Sequence, residues 1–327
     1  MPAAPRARVV RRPVHGVLLL DKPRGLSSNQ ALQKAKWLLR AEKAGHTGTL
    51  DPLATGVLPL CFGAATKFSQ IQLDADKTYE ARAVLGVRTT TGDAEGEVIE
   101  ARDVPMPGAE AIARVQAQFT GAIRQVPPMH SALKKDGKAL YEYARAGEEV
   151  AREPRDVTIH RLALTPAEPT PDGRPTLRIV ATVSKGTYIR TLGEDIGQAL
   201  GCGAHLSALR RVATGGYTED QCIGLEALEA LPEAERLHQL APPESLLDGH
   251  ARVTLAGDDA GRFLSGMRRR GPWPDAEAVA VFGDHPAGLL GTAHVKAGEL
   301  IPGRLLSPLE IQQILGSREP VSRPRTT

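Results

Sequence analysis

Cysteine is scarce in this 327-residue chain, and its placement argues against two kinds of site. The three residues, Cys61, Cys202 and Cys222, are odd in number and form no CxxC pair. We therefore expect no disulfide framework, and the composition fits a reducing cytosol. Cys202 and His205 have half of a metal-ligand spacing, but no second half follows, so we expect no metal site.

The sequence motifs of several common enzyme chemistries are also missing. The chain has no GxxxxGK[ST] phosphate loop, no HExxH and no GxSxG, which argues against nucleotide, zinc-dependent and triad hydrolysis. Gly201-Cys202-Gly203 lacks the third glycine of a dinucleotide fingerprint. No apolar stretch reaches about 18 residues, so we expect no membrane span. Aromatic residues make up only 4%, which excludes a broad stacking platform of many rings.

Charge is nearly balanced, with 41 Lys and Arg against 38 Asp and Glu, and the net charge is +3. This excess is too small to indicate nucleic-acid binding, but its distribution is uneven. Residues 1–13 hold four arginines, and further clusters occur at Arg210-Arg211 and Arg268-Arg269-Arg270. Such patches can neutralise phosphates, although a solvated surface is the more common explanation of a single run. We expect a disordered basic arm at 1–13 and a disordered tail at 313–327.

The spacing of apolar residues predicts an α+β fold. A short buried strand follows Gly16, a helix begins at Ser27 or Ser28, and a second helix from Thr187 ends at Gly201. Because strands and helices do not alternate as regular βαβ units, we expect a mixed, mostly antiparallel sheet. The composition shifts near 241–250. We therefore expect a large domain at 14–250 and a small β-rich module at 251–312.

The most informative segment runs from Gly45 to Leu58 and contains a single acidic residue, Asp51. Gly48 and Gly56 permit backbone angles and close approaches that other residues resist, and a proline fixes the chain directly after the aspartate. Most loop aspartates only cap a turn through their own backbone. A lone carboxylate presented in this way is also suited to covalent or base chemistry without a metal.

Three further residues are candidates for the same site. Tyr79 begins an alternating strand and could stack on a base, or it could be an ordinary core tyrosine. Arg190 falls in the first turn of a predicted helix, and an arginine near a carboxylate keeps it ionised and directed, although most arginines lie on the surface. His46 lies five residues before Asp51 and could contact a flipped nucleotide or simply satisfy the turn.

Taken together, these segments resemble the TruB family of tRNA pseudouridine synthases. The resemblance implies isomerisation of uridine to pseudouridine at position 55 in the T-loop of tRNA. It also implies the α+β catalytic core of pseudouridine synthases, followed by a PUA-like module. The matching stretches run in family order over about 200 residues: Gly16–Ser28, Gly45–Gly63, Ala65–Gln70, Lys77–Glu80, Val126–Gly147 and Ser184–Arg211.

The resemblance also implies a role for each candidate residue. Asp51 matches the catalytic aspartate, Tyr79 the tyrosine that stacks on the target uracil, and Arg190 the arginine that pairs with the carboxylate. His46 matches a loop histidine that helps to open the T-loop. Two more positions near the active site are expected to bind substrate: Lys22 and Tyr188. The chain departs from the family at His130, where many relatives have tyrosine.

The implied reaction agrees with the missing motifs. It breaks the N1–C1′ bond, turns the uracil and rejoins it through C5, so nothing is oxidised and no group is lost. We therefore expect no cofactor. The nucleotide is buried in a folded loop and must be extruded from its stack. Whether Asp51 attacks the sugar or the uracil ring stays open.

The expected partner is the T-arm of tRNA, with no membrane, for a monomer in the cytoplasm. Two alternatives belong to other classes of function. One is a tRNA-binding or RNA-folding module that performs no chemistry. The other is a glycosidic-bond enzyme that exchanges or removes bases, although base-exchange enzymes of tRNA usually carry zinc.

Overall fold

The computed structural model describes residues 10–285 and 287–317. Strands dominate both parts of the chain, and most helices are short. The strands are β1 Gly16–Lys22, β2 Ala44–His46, β3 Thr55–Phe62, β4 Lys77–Leu85, β5 Val87–Thr89, β6 Val98–Ala101, β7 Gly121–Gln125, β8 Lys134–Lys135, β9 Lys138–Ala139, β10 Arg155–Ala167, β11 Thr176–Val183, β12 Ala204–Thr214, β13 Tyr217–Thr218, β14 Ile223–Gly224, β15 Leu240–Ala241, β16 Ala251–Leu255, β17 Arg269–Arg270, β18 Ala276–Asp284, β19 Ala287–Lys296 and β20 Glu299–Leu305.

The helices alternate irregularly with these strands. The α-helices are α1 Ser28–Leu38, α2 Ser69–Asp74, α3 Ala109–Gln118, α4 Leu140–Arg145, α5 Ile189–Ala199, α6 Leu225–Ala230, α7 Glu233–His238, α8 Gly257–Leu264 and α9 Pro308–Gly316. Three 3₁₀ helices cover Gly63–Lys67, Glu219–Gln221 and Pro243–Leu247. None of the helices in the described ranges has the length and apolar character that crossing a bilayer requires.

The large domain is built on one eleven-stranded sheet. Its main path is β14-β1-β3-β12-β4-β11-β10-β7, and β2, β13 and β15 pair at its sides. The β1–β14 and β3–β12 pairs are parallel and the other pairs are antiparallel. A separate five-stranded sheet, β16-β18-β19-β20-β17, forms the C-terminal module. The predicted α+β fold, with a mixed, mostly antiparallel sheet and a small β-rich module, is confirmed.

The two faces of the large sheet are covered differently. Helices α1, α5 and α6 bury one face, where Leu32, Leu192 and Leu228 join the strand side chains in one core. The C-terminal module packs on the other face through a second core that joins Val57 of β3 to Phe263 of α8. Alternation along each strand therefore sends successive side chains into two different environments.

The structure corrects the expectations for both chain ends. Arg12 lies in the predicted disordered arm, yet its amide donates to the Arg40 carbonyl (2.8 Å) and its carbonyl accepts from Glu42 (3.1 Å). The predicted tail at 313–327 begins too early, because α9 continues to Gly316 and buries Ile314 against the module. The rest of the expected arm and tail, 1–9 and 318–327, lies outside the described residues.

Candidate active site

The loop between β2 and β3 carries Asp51 and is held by hydrogen bonds to its own backbone groups. The Leu50 amide donates to Ser28 Oγ (2.7 Å), and that hydroxyl donates back to the Leu50 carbonyl (3.1 Å). The Ala54 amide donates to the Asp51 carbonyl (3.0 Å), which closes the turn. Ser28 begins α1, so the helix start fixes the loop. The Asp51 side chain remains 38% exposed and faces a cleft.

Gly56 allows β3 to approach β12 directly after this loop. Its φ is +100°, and a Cβ at this position would lie 2.2 Å from the Arg211 carbonyl oxygen. Only glycine adopts this backbone without a clash. The parallel pairing of Gly56 with Arg211 therefore depends on a residue that the sequence had already marked as permissive.

Arg190 meets Asp51 at the start of α5. Its Nη2 lies 3.0 Å from Asp51 Oδ2, and its side chain is only 5% exposed. Nη1 donates to the Thr91 carbonyl (2.9 Å), and Nη2 also donates to the His130 carbonyl (2.7 Å). The contact at residue 130 uses the main-chain carbonyl, so it does not depend on which side chain stands there. These contacts fix the direction of the guanidinium before any substrate binds.

Asp93 is a second buried partner of Arg190 and was not found from the sequence. Its Oδ2 lies 3.6 Å from Arg190 Nε, and its side chain is 4% exposed. Its Oδ1 accepts from Thr91 Oγ1 (2.6 Å) and from the Glu95 amide (3.0 Å). An aspartate in a polar turn usually forms such local bonds, so its position alone gave no functional signal. Two carboxylates compensate the buried guanidinium, which stabilises it where it is.

The charge around this pair also affects Glu95. Burial raises the pKa of Glu95, and the neighbouring carboxylates of Asp93 and Asp51 raise it further. Glu95 therefore lies in the same electrostatic environment as Asp51, at the cleft end of the loop between β5 and β6.

The cleft itself has a volume of about 340 Å³. Asp51 and Arg190 line one part, and Tyr79 and Tyr188 line another. Burial raises the pKa of Tyr188, so its hydroxyl stays protonated at neutral pH. The Gln125 side chain holds the backbone of Tyr188, accepting from its amide (3.0 Å) and donating to its carbonyl (3.3 Å). Four of the six predicted site residues thus meet in one cleft.

His46 and Lys22 lie close to the cleft but do not line it. Burial, followed by the charge of Arg211, lowers the pKa of His46. Lys22 is fully buried, and its ammonium donates to the Pro23 (2.9 Å) and Leu26 (2.5 Å) carbonyls. Burial lowers the pKa of Lys22 to about 8, although the Asp51 carboxylate acts in the opposite direction. The Lys22 donors face the backbone, and that Lys22 contacts substrate stays a prediction.

A larger cavity, of about 530 Å³, lies on the opposite face of the sheet. It is lined by Glu80 and Arg82 of β4, whose side chains alternate with that of Tyr79. It contains neither Asp51 nor Arg190. The chemistry therefore places the candidate site in the smaller cleft.

Comparison with known proteins identifies the family of this chain. Residues 36–189 match the N-terminal domain model of TruB family pseudouridylate synthases, and residues 190–248 match the C-terminal domain model of tRNA pseudouridylate synthase B. The chain belongs to the TruB family. It is 67% identical over 320 residues to tRNA pseudouridine synthase B of Verminephrobacter eiseniae, covering 97% of this chain and 96% of that protein. The corresponding protein of Cupriavidus taiwanensis is 56% identical over 306 residues, covering 91% and 96%.

The fold of this TruB family member is also similar to that of a solved structure. A chain of a crystallised Cbf5-Nop10-Gar1 complex superimposes with a TM-score of 0.67 at 27% identity. The match covers 90% of this chain and 85% of the other.

Proposed function

We propose that this chain isomerises uridine to pseudouridine at position 55 of the T-loop of tRNA. Family membership supports uridine isomerisation in tRNA as the reaction. The observation that carries the assignment to this cleft is the Asp51–Arg190 pair, 3.0 Å apart, beside Tyr79. The cleft offers a directed carboxylate and an aromatic ring, which are the groups that a flipped uridine requires.

The proposed roles follow from where each side chain lies. Asp51 is the catalytic group, and it either attacks C1′ or the uracil ring or removes a proton on the sugar side. Arg190 orients the Asp51 carboxylate through their ion pair, and Asp93 orients Arg190 through a second ion pair. Tyr79 stacks on the uracil. The reaction moves C1′ from N1 to C5, C5 releases its proton to solvent and N1 takes up a proton, so atoms balance without a cofactor.

The remaining predicted residues act at the edges of the cleft. We propose that Tyr188 contacts the extruded nucleotide, since it lines the same cleft as Asp51. His46 lies at the beginning of that loop and is placed to meet the T-loop as it opens. Lys22 instead positions the chain before α1 by binding two carbonyls.

The decisive test is tritium release from unmodified tRNA labelled at uracil C5. Asp51→Asn keeps the size of the side chain but removes its charge. We expect this variant to lose turnover while its tRNA affinity stays within about tenfold, or ~1.4 kcal/mol. Asp156→Asn, a change at an exposed residue that does not line the cleft, serves as the matched control and should keep full activity. Normal turnover in Asp51→Asn would contradict the assignment.

The same assay separates the alternative functions. If the chain were only an RNA-binding module, the wild-type protein would bind tRNA but release no tritium. A base-removing or base-exchanging enzyme would release free uracil into solution. We further expect Tyr79→Ala to lose far more activity than affinity, because the ring serves the flipped base rather than the docked stem. Equal losses of activity and affinity would mean that the Tyr79 ring contributes only to docking of the tRNA.

We also infer that the chain acts as a monomer in the cytoplasm. A single chain brings Asp51, Tyr79 and Arg190 together, which is compatible with a monomer. The free thiols of Cys61, Cys202 and Cys222 fit a reducing compartment. Light scattering of the active protein should give a mass near 34.9 kDa, and a stable dimer would contradict this inference.

A further inference from the structure

Two adjacent arginines on β12 have very different surroundings. Arg210 and Arg211 point to opposite faces of the sheet, as successive strand residues do. Arg210 is paired with the carboxylates of Asp21 (2.9 Å) and Glu219 (2.6 Å). Arg211 is only 1% exposed, yet within the described part of the chain no carboxylate lies within 4.0 Å of it. The buried arginine is therefore the one without a counter-ion.

The polar contacts of Arg211 are few and involve neutral partners. Nε donates to the Val57 carbonyl (2.7 Å), and Nη2 makes a long contact with the Gly48 carbonyl (3.4 Å). For Nη1 the described residues provide no hydrogen-bond acceptor. A buried guanidinium without a counter-ion is costly. An anionic partner supplied from outside the chain would relieve this cost.

The free end of Arg211 lies at the cleft. Arg211 and Gly48 both line it, next to Asp51 and Tyr79. A side chain at Gly48 would begin 3.5 Å from Arg211 Nη1, so the glycine leaves this nitrogen uncovered on that side. Tyr79 on β4 is the direct cross-strand neighbour of Arg211. The spare donor is thus close to both the catalytic carboxylate and the stacking ring.

Two lysines near Arg211, Lys22 and Lys77, make this region more attractive to an anion. Burial is the main cause that lowers the pKa of each to about 8, and the positive charge of Arg211 contributes to both shifts. The negative charge of Asp51 is balanced separately by Arg190. A second anion could therefore enter beside Arg211 without competing for the partner of Asp51.

The substrate class limits what this anion can be. Uracil and ribose are neutral, so the phosphodiester is the only charged group of an RNA nucleotide. We propose that Arg211 binds a phosphate flanking the target uridine and anchors its backbone in the cleft. This inference rests on the proposed function. It also explains how the ribose keeps its place while the uracil is detached and turned, because a charge-assisted bond holds the backbone independently of the base.

The test combines protein variants with single neutral phosphates. A T-arm stem-loop is made with a methylphosphonate on the 5′ or the 3′ side of the target uridine, and affinity is measured for the full chain. We expect wild type to bind one of these RNAs at least about tenfold more weakly than the unmodified RNA. Arg211→Met should show a similar loss on unmodified RNA but almost no further loss on that methylphosphonate RNA. Such non-additive losses identify a direct contact.

The matched control is Arg210→Met, which removes the neighbouring arginine on the other face. Its effect and that of the methylphosphonate should multiply, because the two groups do not touch. If the losses of Arg211→Met also multiply at both phosphates, Arg211 only supports the loop and the proposal is overturned. Should Arg211→Met fail to fold, the same affinities for unmodified and methylphosphonate RNA are compared between wild type and Arg211→Lys. Wild type that is indifferent to both methylphosphonates likewise overturns it.

The affinity cycle does not depend on turnover. Tritium release by the wild type reports the proposed function itself, whereas the methylphosphonate losses report the phosphate contact. A wild type that binds RNA through Arg211 but releases no tritium would therefore contradict the proposed function and still support the phosphate contact. If tritium is released but the affinity losses caused by Arg211→Met and by the methylphosphonates multiply, the proposed function stands and the phosphate contact is overturned.

Discussion

Asp195, on the helix that carries Arg190, should destabilise the folded protein at neutral pH. The side chain is half-buried, and within the described residues it has no ion pair or side-chain hydrogen bond. Burial raises its pKa from 3.8 to about 6. Replacing Asp195 by Asn keeps the shape of the side chain and removes the charge that burial penalises.

The size and sign of this effect follow from proton linkage. A rise of about two pKa units corresponds to at most about 3 kcal/mol, and partial solvation reduces our expectation to about 1 kcal/mol. The folded state binds the proton more tightly, so this group's contribution to stability falls as the pH rises from about 4 to about 6. Above that window the charge exerts its full cost. Asp195→Asn should therefore stabilise the protein at pH 7.5 and have little effect at pH 4.

Urea unfolding of wild type and Asp195→Asn at several pH values measures this difference. The unfolding midpoint of the variant should exceed that of wild type at pH 7.5, and the two should converge toward pH 4. Asp103→Asn is the matched control, since its side chain is fully exposed and should give no such pH-dependent gain. An Asp195→Asn protein that is less stable than wild type at pH 7.5, or a gain that is equal at both pH values, would refute the reasoning.

Two further substitutions test how the cleft is assembled. Asp93→Asn should lower kcat at least about tenfold, because Arg190 loses one of its two carboxylates. This loss corresponds to ~1.4 kcal/mol of activation free energy. A melting temperature close to that of wild type would show that the loss is not caused by unfolding. Gly56→Ala should lower the free energy of unfolding by roughly 3 kcal/mol, since its Cβ would collide with the Arg211 carbonyl, whereas Gly45→Ala, with no atom within 4 Å, should be nearly neutral. Equal stability of the two alanine variants would contradict this view of the β3–β12 contact.

The local parts of the fold were predictable because their signals lie within a few residues. The sequence predicted a cap at Ser27 or Ser28, and the structure shows Ser27 Oγ accepting from the Gln30 amide (3.2 Å) while Gln30 Oε1 accepts from Ser27 (2.8 Å). The helix ends at Leu38, two residues before Arg40 takes a positive φ of 53°. End positions depend on such backbone detail, which apolar spacing does not contain.

The long-range parts of the site could not be found in the same way. Asp93 and Arg190 are 97 residues apart, and their contact depends on how the β5–β6 loop meets α5. The resemblance identified Asp51, Tyr79 and Arg190, but it did not separate Arg210 from Arg211. Only the register of β12 against β3 and β4 shows that one of these arginines faces carboxylates and the other faces the cleft.

The roles proposed for the cleft require two separate cations. While the uracil is detached, no covalent bond joins it to the RNA, so the base and the ribose must be held by different groups. Arg190 is fully engaged by Asp51 and Asp93 and can only direct the carboxylate. A ring such as Tyr79 can hold the base but not the backbone. The task of holding the backbone requires a cation whose charge the protein leaves unpaired, and in the described part of this cleft Arg211 meets that requirement.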